Sequence, residues 1–193
     1  MLTVEPLDFG VGNRMAKLLR GFATRPGHRH TPIDYPATLS RSSIPRGVDA
    51  LARQIADVPG DKVVLAHSQG AQVASEWLRA HAGAPGAPPP ARLWFILTGN
   101  PQRRIGGRAR RSVTGDRLLP TPDDTQYRVF DLARRWDGWA NWDNYPDGPS
   151  RRARARLILG MTADHTDYTD VGVDDPANRV RAVVGNTVYI ITP

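Results

Sequence analysis

Residues 62–78 constrain the fold most, because an apolar segment runs directly into a helical pattern through a turn of small residues. Lys62 to Ala66 (KVVLA) is typical of a short, buried strand in a parallel sheet. The helical pattern presents one apolar stripe, formed by Val73, Ala74, Trp77 and Leu78. The connection between them is AHSQG, residues 66–70. A strand that turns sharply into a helix is a building unit of α/β folds, so this segment predicts that fold class.

The rest of the chain alternates predicted strands with predicted helices. Further strands are predicted at residues 92–98 and 126–132, and a terminal hairpin at Gly185-Asn186 between RVRAVV and TVYIITP, whereas residues 1–10 contain one short apolar stretch, Leu2 to Val4. Helices are predicted at 11–22, from Ser43 to a stop at Pro59-Gly60, and at 150–159, whereas 23–43 is predicted to be a loop. This order predicts a single domain over residues 1–193, with a mostly parallel central sheet flanked by helices. Ligands of such sheets bind at the carboxyl ends of the strands.

Composition excludes several classes of protein. The chain has no cysteine, so disulfide frameworks and thiolate chemistry are excluded. Its 40% apolar residues argue against general disorder, and no apolar window is long enough for a membrane span. The segment MLTVEPLDFG lacks the pattern of a signal peptide, so export is expected to need another route, such as lysis or delivery on a particle.

The net charge of +7 is concentrated in two basic runs, RRIGGRARR (103–111) and RRARAR (151–156). The simplest interpretation is two solvated faces. A sharper one is attraction to an anionic surface, such as the cell envelope or virion components. Nucleic-acid binding is disfavoured, because no aromatic residues alternate with these runs and no nucleic-acid motif is present.

AHSQG resembles the G-x-S-x-G turn that holds a nucleophilic serine, with Ala66 in place of the first glycine. A serine hydroxyl attacks esters only when a base removes its proton. The backbone N–H of Gln69, at the start of the helix, is then a candidate oxyanion donor. The alternative is that Ser68 simply caps this helix.

The base must come from five histidines. In α/β hydrolases the nucleophile, the acid and the histidine follow in that order. His28, His30, His67 and His81 do not fit this order, whereas His165 in MTADHTDY does. The alternative for His165 is an ordinary histidine in a surface loop.

The acid is expected after a late strand and before His165. Asp137, in the loop segment RRWDGWANW, is the first choice, because a loop carboxylate can reach a histidine and fix its tautomer. Asp131, inside the predicted strand, is the second. A metal site built from His28 and His30, or from Asp164, His165 and Asp167, lacks any recognised ligand spacing, so no metal is expected.

Six segments occur in an order that resembles the PE-PPE-domain serine esterases. They are YPATL (35–39), VVLAHSQGAQVAS (63–75), FILTGNPQRRIGG (95–107), RRWDGWANW (134–142), MTADHTDY (161–168) and the terminal TVYIITP. These esterases are mycobacterial α/β hydrolases related to cutinases, and the resemblance extends to cutinase-like and lysin B-like enzymes of mycobacteriophages. It implies a compact cutinase-like fold, a Ser68–Asp137–His165 triad, lipid or mycolyl-type ester substrates, and no cofactor.

The chain departs from that family in its short N-terminal region. Such enzymes place a glycine-containing loop after the first strand, and this loop supplies the second oxyanion donor. Here LTVEPLDFGVG offers Gly10, Gly12 or the amides near Glu5 to Leu7. A basic chain without a PE or PPE leader is also more like a phage-encoded protein.

The sequence thus predicts a serine esterase. Trp136, Trp139 and Trp142 are candidates for an acyl-binding face, with core packing as the alternative. The rival hypotheses are an inactive hydrolase-fold component of a virion and a basic nucleic-acid-binding module.

Overall fold

A computed structural model describes residues 1–8, 14–108, 118–142 and 149–193. Seven strands form one sheet: β1 (Leu2–Val4), β2 (Thr31–Pro32), β3 (Lys62–His67), β4 (Leu93–Thr98), β5 (Arg128–Arg134), β6 (Arg179–Val184) and β7 (Thr187–Thr192). Their spatial order is β2-β1-β3-β4-β5-β7-β6. All neighbours are parallel except the terminal hairpin of β6 and β7. The predicted mostly parallel α/β sheet is therefore confirmed.

The longer helices are α2 (Ser43–Asp57), α3 (Gln69–His81) and α4 (Arg151–Gly160), and α1 (Leu18–Gly21) is a four-residue turn. Two short 3₁₀ segments lie at Phe22–Thr24 and Pro90–Arg92. Among the described residues no helix has the length and apolarity that crossing a membrane requires.

The core lies on both faces of the sheet, because successive residues of a strand point in opposite directions. On β3, Val64 and Ala66 pack into one apolar cluster, which includes buried side chains of α2 and α3. Leu65 points to the other face and packs with Ile96, Leu132 and the segment around Leu18. The central strand is thus buried on both sides, which explains why its sequence is apolar without alternation.

The helix predicted at 11–22 is wrong for the part that the structure describes. Leu19 and Arg20 have φ values of 52° and 55°, in the left-handed region. Their backbone amides donate to the carbonyls of Tyr168 and Thr169 instead of to a helical turn. Tertiary hydrogen bonds to a distant loop have overridden the local helical pattern. The loop predicted at 23–43 likewise contains one short strand, β2, beside β1.

Arg103 corrects the interpretation of the first basic run as a solvated face. Its side chain is fully buried and lies 3.3 Å from the Asp131 carboxylate. Its guanidinium also donates to the Asp131 and Ile190 carbonyls. Residues 109–111 of this run lie outside the described residues.

Candidate active site

Ser68 lies in the turn between β3 and α3, near the centre of the sheet. Its φ of 52° and ψ of −113° are unusual for a residue with a side chain. Its backbone N–H donates to the Thr98 carbonyl at 3.1 Å, which extends the pairing of β3 with β4 by one residue. Ala66, in the position of the motif's first glycine, is fully buried, so the fold accommodates its methyl group.

Gly70 allows α3 to begin directly against the end of β1. A Cβ atom at Gly70 would lie 2.2 Å from the Val4 carbonyl oxygen and 2.6 Å from that of Glu5. Real Cβ atoms do not approach backbone oxygens so closely, so a larger residue would force the two elements apart. This glycine therefore fixes how the N-terminal segment lies beside the serine turn.

The structure brings Ser68, His165 and Asp137 together in one chain of hydrogen bonds. The Ser68 Oγ lies 2.8 Å from the His165 Nε2. The His165 Nδ1 lies 2.9 Å from the Asp137 Oδ2 and 3.1 Å from its Oδ1. This places a base on the serine hydroxyl and a carboxylate on the far side of the base.

Asp137 is held rigidly in the loop after β5. Its Oδ1 accepts from the backbone N–H groups of Trp139 and Ala140, at 2.9 and 3.1 Å. Its Oδ2 accepts from the Tyr168 hydroxyl at 2.8 Å. Burial by itself would raise the pKa of Asp137, but the neighbouring His165 and these hydrogen bonds together hold it below the usual value. The buried carboxylate is therefore ionised near neutral pH.

Three further residues support the site: Tyr168, His67 and Gly99. The sequence alone does not predict a role for them. The Tyr168 hydroxyl accepts from the Arg134 N–H while it donates to Asp137, which fixes the carboxylate to the end of β5. The His67 ring lies 5.4 Å from that of His165. A Cβ atom at Gly99 would lie 2.8 Å from His67 and 3.2 Å from both His165 and Asp137, so this position leaves room for the relay.

Sequence signals for these supporting residues were weak. Tyr168 follows the candidate base by three residues, and Gly99 directly follows a buried strand at the sheet edge where ligands bind. Neither signal names a partner, because the contacts join segments far apart in the chain.

Asp131, the second choice for the acid, has other partners, and the carboxylate bonded to His165 is that of Asp137. Asp131 is fully buried within β5, where its carboxylate pairs with Arg103 and accepts from the Asn100 side chain at 2.8 Å. Burial raises the pKa of Asp131 to about 6, against the effect of Arg103. Its partners assign it to the packing between strands.

The backbone N–H of Gln69 opens α3, where amides have no acceptor within the helix. The Gln69 side chain is used elsewhere: it donates to the Thr38 carbonyl at 2.9 Å and accepts from the Ser43 hydroxyl at 3.2 Å. It thereby ties the loop before α2 to the serine turn. Of the donor groups of Gln69, the main-chain amide is therefore the candidate oxyanion donor, and the side-chain amide is not.

The N-terminal segment also lines the cleft that contains Ser68. Glu5, Pro6 and Leu7 line it together with Ser68. Burial raises the pKa of Glu5 to about 7, and its Oε1 has no hydrogen-bond partner among the described residues. The predicted candidates Gly10 and Gly12 lie in segment 9–13, outside the described residues.

A cleft of about 1870 Å³ opens over Ser68 and His165. Its lining is largely apolar and includes Leu7, Met15, Leu18, Ile33, Leu39, Ile44, Leu119 and Trp139. Of the three candidate tryptophans, Trp139 lines the cleft, with its ring 6.4 Å from that of His165. Trp136 and Trp142 instead lie under the guanidinium groups of Arg156 and Arg108.

The residues weighed as metal ligands have other partners. His28 contacts the Phe22 carbonyl and His30 contacts the Thr3 hydroxyl. Asp164 pairs with Arg156 at 2.5 Å. No group of three or more potential metal ligands occurs in the described ranges.

Sequence comparison places most of the chain within one family. The family model described as the PE-PPE domain matches residues 26–193. The chain is 31% identical over 156 residues to the esterase PE16 of Mycobacterium tuberculosis (strain ATCC 25618 / H37Rv). That match covers 75% of this chain but 29% of the esterase, so the chain spans about three tenths of its relative.

Structural comparison agrees on the fold. A cutinase-like protein from Cryptococcus sp. superposes with a TM-score of 0.59 at 17% identity, covering 88% of this chain and 85% of that protein. Lysin B from mycobacteriophage D29 superposes with a TM-score of 0.52 at 23% identity, covering 84% and 73%. The predicted cutinase-like α/β-hydrolase fold is confirmed.

Proposed function

The chain belongs to the PE-PPE domain family, and we propose that it hydrolyses carboxylic esters of lipids, with Ser68 as the nucleophile. The observation that carries the proposal is the continuous hydrogen-bonded relay from Ser68 through His165 to Asp137 at the floor of the cleft. A serine that only capped a helix would not require a histidine partner that is itself bonded to a buried carboxylate.

The acylation step follows from the relay. His165 Nε2 takes the Ser68 proton as Oγ attacks the ester carbonyl carbon, and the carbonyl oxygen becomes an oxyanion. The Gln69 N–H stabilises this negative charge from the start of α3. The tetrahedral intermediate collapses, His165 returns the proton to the departing alkoxide, and the alcohol leaves an acyl group on Ser68.

Deacylation repeats the sequence with water. His165 removes a proton from water, the resulting hydroxide attacks the acyl carbonyl, and the proton then passes to Ser68 Oγ as the carboxylic acid departs. In both halves Asp137 holds the Nδ1 proton of His165, so that Nε2 faces Ser68. It also stabilises the imidazolium while that carries charge.

The cleft favours substrates with long apolar acyl groups. Each Å² of acyl surface that these apolar walls withdraw from water would contribute about 25 cal/mol to the free energy of substrate binding. Lipid esters, including mycolyl-type esters, have such chains. One relative of the chain is itself named an esterase, which supports the reaction class.

Removing the Ser68 hydroxyl tests the reaction. We expect Ser68→Ala to lower kcat for p-nitrophenyl esters on the order of 10⁵-fold, because nucleophile and base act as a unit. The exposed Ser42→Ala is the matched control and should keep wild-type kcat. A series from butyrate to palmitate measures the preferred acyl length.

Equal rates for wild type and Ser68→Ala would exclude Ser68 as the nucleophile. Absence of turnover in the wild type would instead favour the rival hypothesis of an inactive, hydrolase-fold component of a phage particle.

A further inference from the structure

Helix α4 presents an outward face that is basic in its first half and apolar in its second. The helix packs inward through Leu157 and Gly160, which are buried. The exposed positions are Arg151, Arg152, Arg154, Ala155, Ile158 and Leu159. At 100° per residue these positions span about 160° of the helix surface, centred opposite Leu157 and Gly160, with Arg152 and Arg154 at the two edges of this face.

The arginines of this face differ from Arg156, which belongs to the same basic run. Arg156 is ion-paired with Asp164, which ties α4 to the loop that carries His165. Arg151, Arg152 and Arg154 form no ion pair within the described part of the chain. Their charge is therefore available to a partner.

The apolar half of the face is unusually exposed and adjoins the cleft. Ile158 and Leu159 are 53% and 65% exposed. The Leu159 carbonyl accepts from the amides of Thr162 and Ala163, and both of these residues line the cleft. Three further exposed apolar side chains, Leu39, Leu119 and Trp139, also line the cleft. The apolar end of this helix face therefore lies beside two residues of the cleft lining.

We propose that the outward face of α4 and the adjoining mouth of the cleft form a docking surface for an anionic lipid layer. Ile158 and Leu159 enter the acyl boundary, while the three arginines, one to two turns away, contact lipid phosphates. Such docking sets the opening above Ser68 against the lipid. It goes beyond the proposed hydrolysis, because binding requires no chemistry at Ser68.

Charge and apolarity together favour lipid over nucleic acid. The arginines alone would fit either phosphate-rich partner. A nucleic-acid backbone offers nothing to two exposed aliphatic side chains, whereas a lipid layer buries them. The combination on one helix face therefore points to an interfacial helix.

Vesicle sedimentation tests the docking surface, with every variant built on Ser68→Ala so that hydrolysis cannot alter the lipid. The parent should bind vesicles of mixed phosphatidylglycerol and phosphatidylcholine, more weakly at high salt, and phosphatidylcholine vesicles poorly. Arg151→Gln, Arg152→Gln and Arg154→Gln together should weaken binding on the order of 100-fold, at about fivefold per arginine. Ile158→Ser with Leu159→Ser should weaken it by about tenfold or more.

Matched controls lie elsewhere on the surface. Val180 and Val183 on β6 are 63% and 64% exposed, at a sheet edge four strands from β3, and their serine variants should bind like the parent. Neutralising the exposed Arg29, Arg128 and Arg181 removes the same charge from other places and should change binding little.

The proposal is overturned if the α4 variants and the control variants lose binding equally, or if the parent binds no anionic vesicle. Tighter, salt-dependent binding to duplex DNA than to vesicles, lost with the three α4 arginines, would assign the face to nucleic acid instead. Failure of vesicle binding leaves the p-nitrophenyl ester result unchanged, so the two proposals are tested separately.

Discussion

Among single residues, Ser68 has a strained backbone conformation that its neighbours hold in place. A backbone in a sparsely populated region costs on the order of 1–3 kcal/mol, which the surroundings must offset. Here the bond from the Ser68 N–H to Thr98 and the start of α3 hold the conformation. Since the sharp turn points Oγ away from the sheet toward His165, the strain has a chemical use in the proposed reaction.

Substitution of the two buried aspartates, Asp137 and Asp131, should have different effects on kcat and on stability. Asp137→Asn should lower kcat on the order of 10⁴-fold, because an amide favours the wrong tautomer of His165. Asp131→Asn should leave kcat within a few-fold of wild type but lower Tm, because it weakens the partner of the fully buried Arg103. Ester kinetics below both unfolding transitions, with thermal unfolding in parallel, measure the two effects. A large loss of kcat in Asp131→Asn but not in Asp137→Asn would show that Asp131, and not Asp137, is the acid.

His67 should make stability depend on pH. Burial, with a smaller contribution from His165, lowers the pKa of His67 to about 3. Between pH 6.5 and 3 the unfolded chain therefore binds the extra proton, and the stability of the folded state falls as pH falls. When the pH is lowered from 7 to 5, wild type should therefore lose on the order of 2 kcal/mol more of its free energy of unfolding than His67→Asn does. Denaturant unfolding at both pH values measures this loss, and a difference between the two proteins that stays constant with pH would contradict the assignment of a neutral, buried ring.

Among the secondary-structure elements, the contact of β1 with α3 sets how the N-terminal segment lies beside Ser68. The end of β1 passes directly over Gly70, and the segment after it lines the same cleft as His165. The turn α1 is in turn bonded to the loop of Tyr168 and Thr169. The N-terminal segment is thus positioned by contacts from both sides of the candidate site.

Substituting Gly70 should damage activity and stability together. Gly70→Ala places a methyl group against the Val4 and Glu5 carbonyls, so β1 and α3 must separate. We expect a loss of about 1–3 kcal/mol in the free energy of unfolding, and kcat lowered by about 10²-fold if an oxyanion donor moves. Gly83→Ala is the control, since its Cβ meets no atom within 4 Å. Wild-type kcat and Tm for Gly70→Ala would show that this close approach is not needed.

The elements that the sequence predicted well are those with buried, periodic patterns. β3, β4, β5, α2 and α3 were found near their predicted bounds, because their apolar residues report directly which face is buried. The helix predicted at 11–22 was wrong for its described part, because the amides of Leu19 and Arg20 bond to a loop about 150 residues away. A local pattern contains no signal for such a partner.

At the scale of the whole molecule, chain order made the candidate site predictable. Ser68 follows β3 and Asp137 follows β5, and the carboxyl ends of such parallel strands meet at one edge. His165 lies in the loop after α4 and completes the order of nucleophile, acid and histidine. The burial of Arg103 could not be predicted, because its charge is balanced only by the strand packing that brings Asp131 beside it. The sequence therefore predicted which residues meet, but not the residues that hold them there.

Covalent labelling with a fluorophosphonate, followed by peptide mapping by mass spectrometry, measures whether the relay activates Ser68. We expect one adduct per chain, located on Ser68, with the labelling rate lowered on the order of 100-fold or more in Asp137→Asn. Wild type that stays unlabelled, or label on another serine, would contradict activation of Ser68 by the relay.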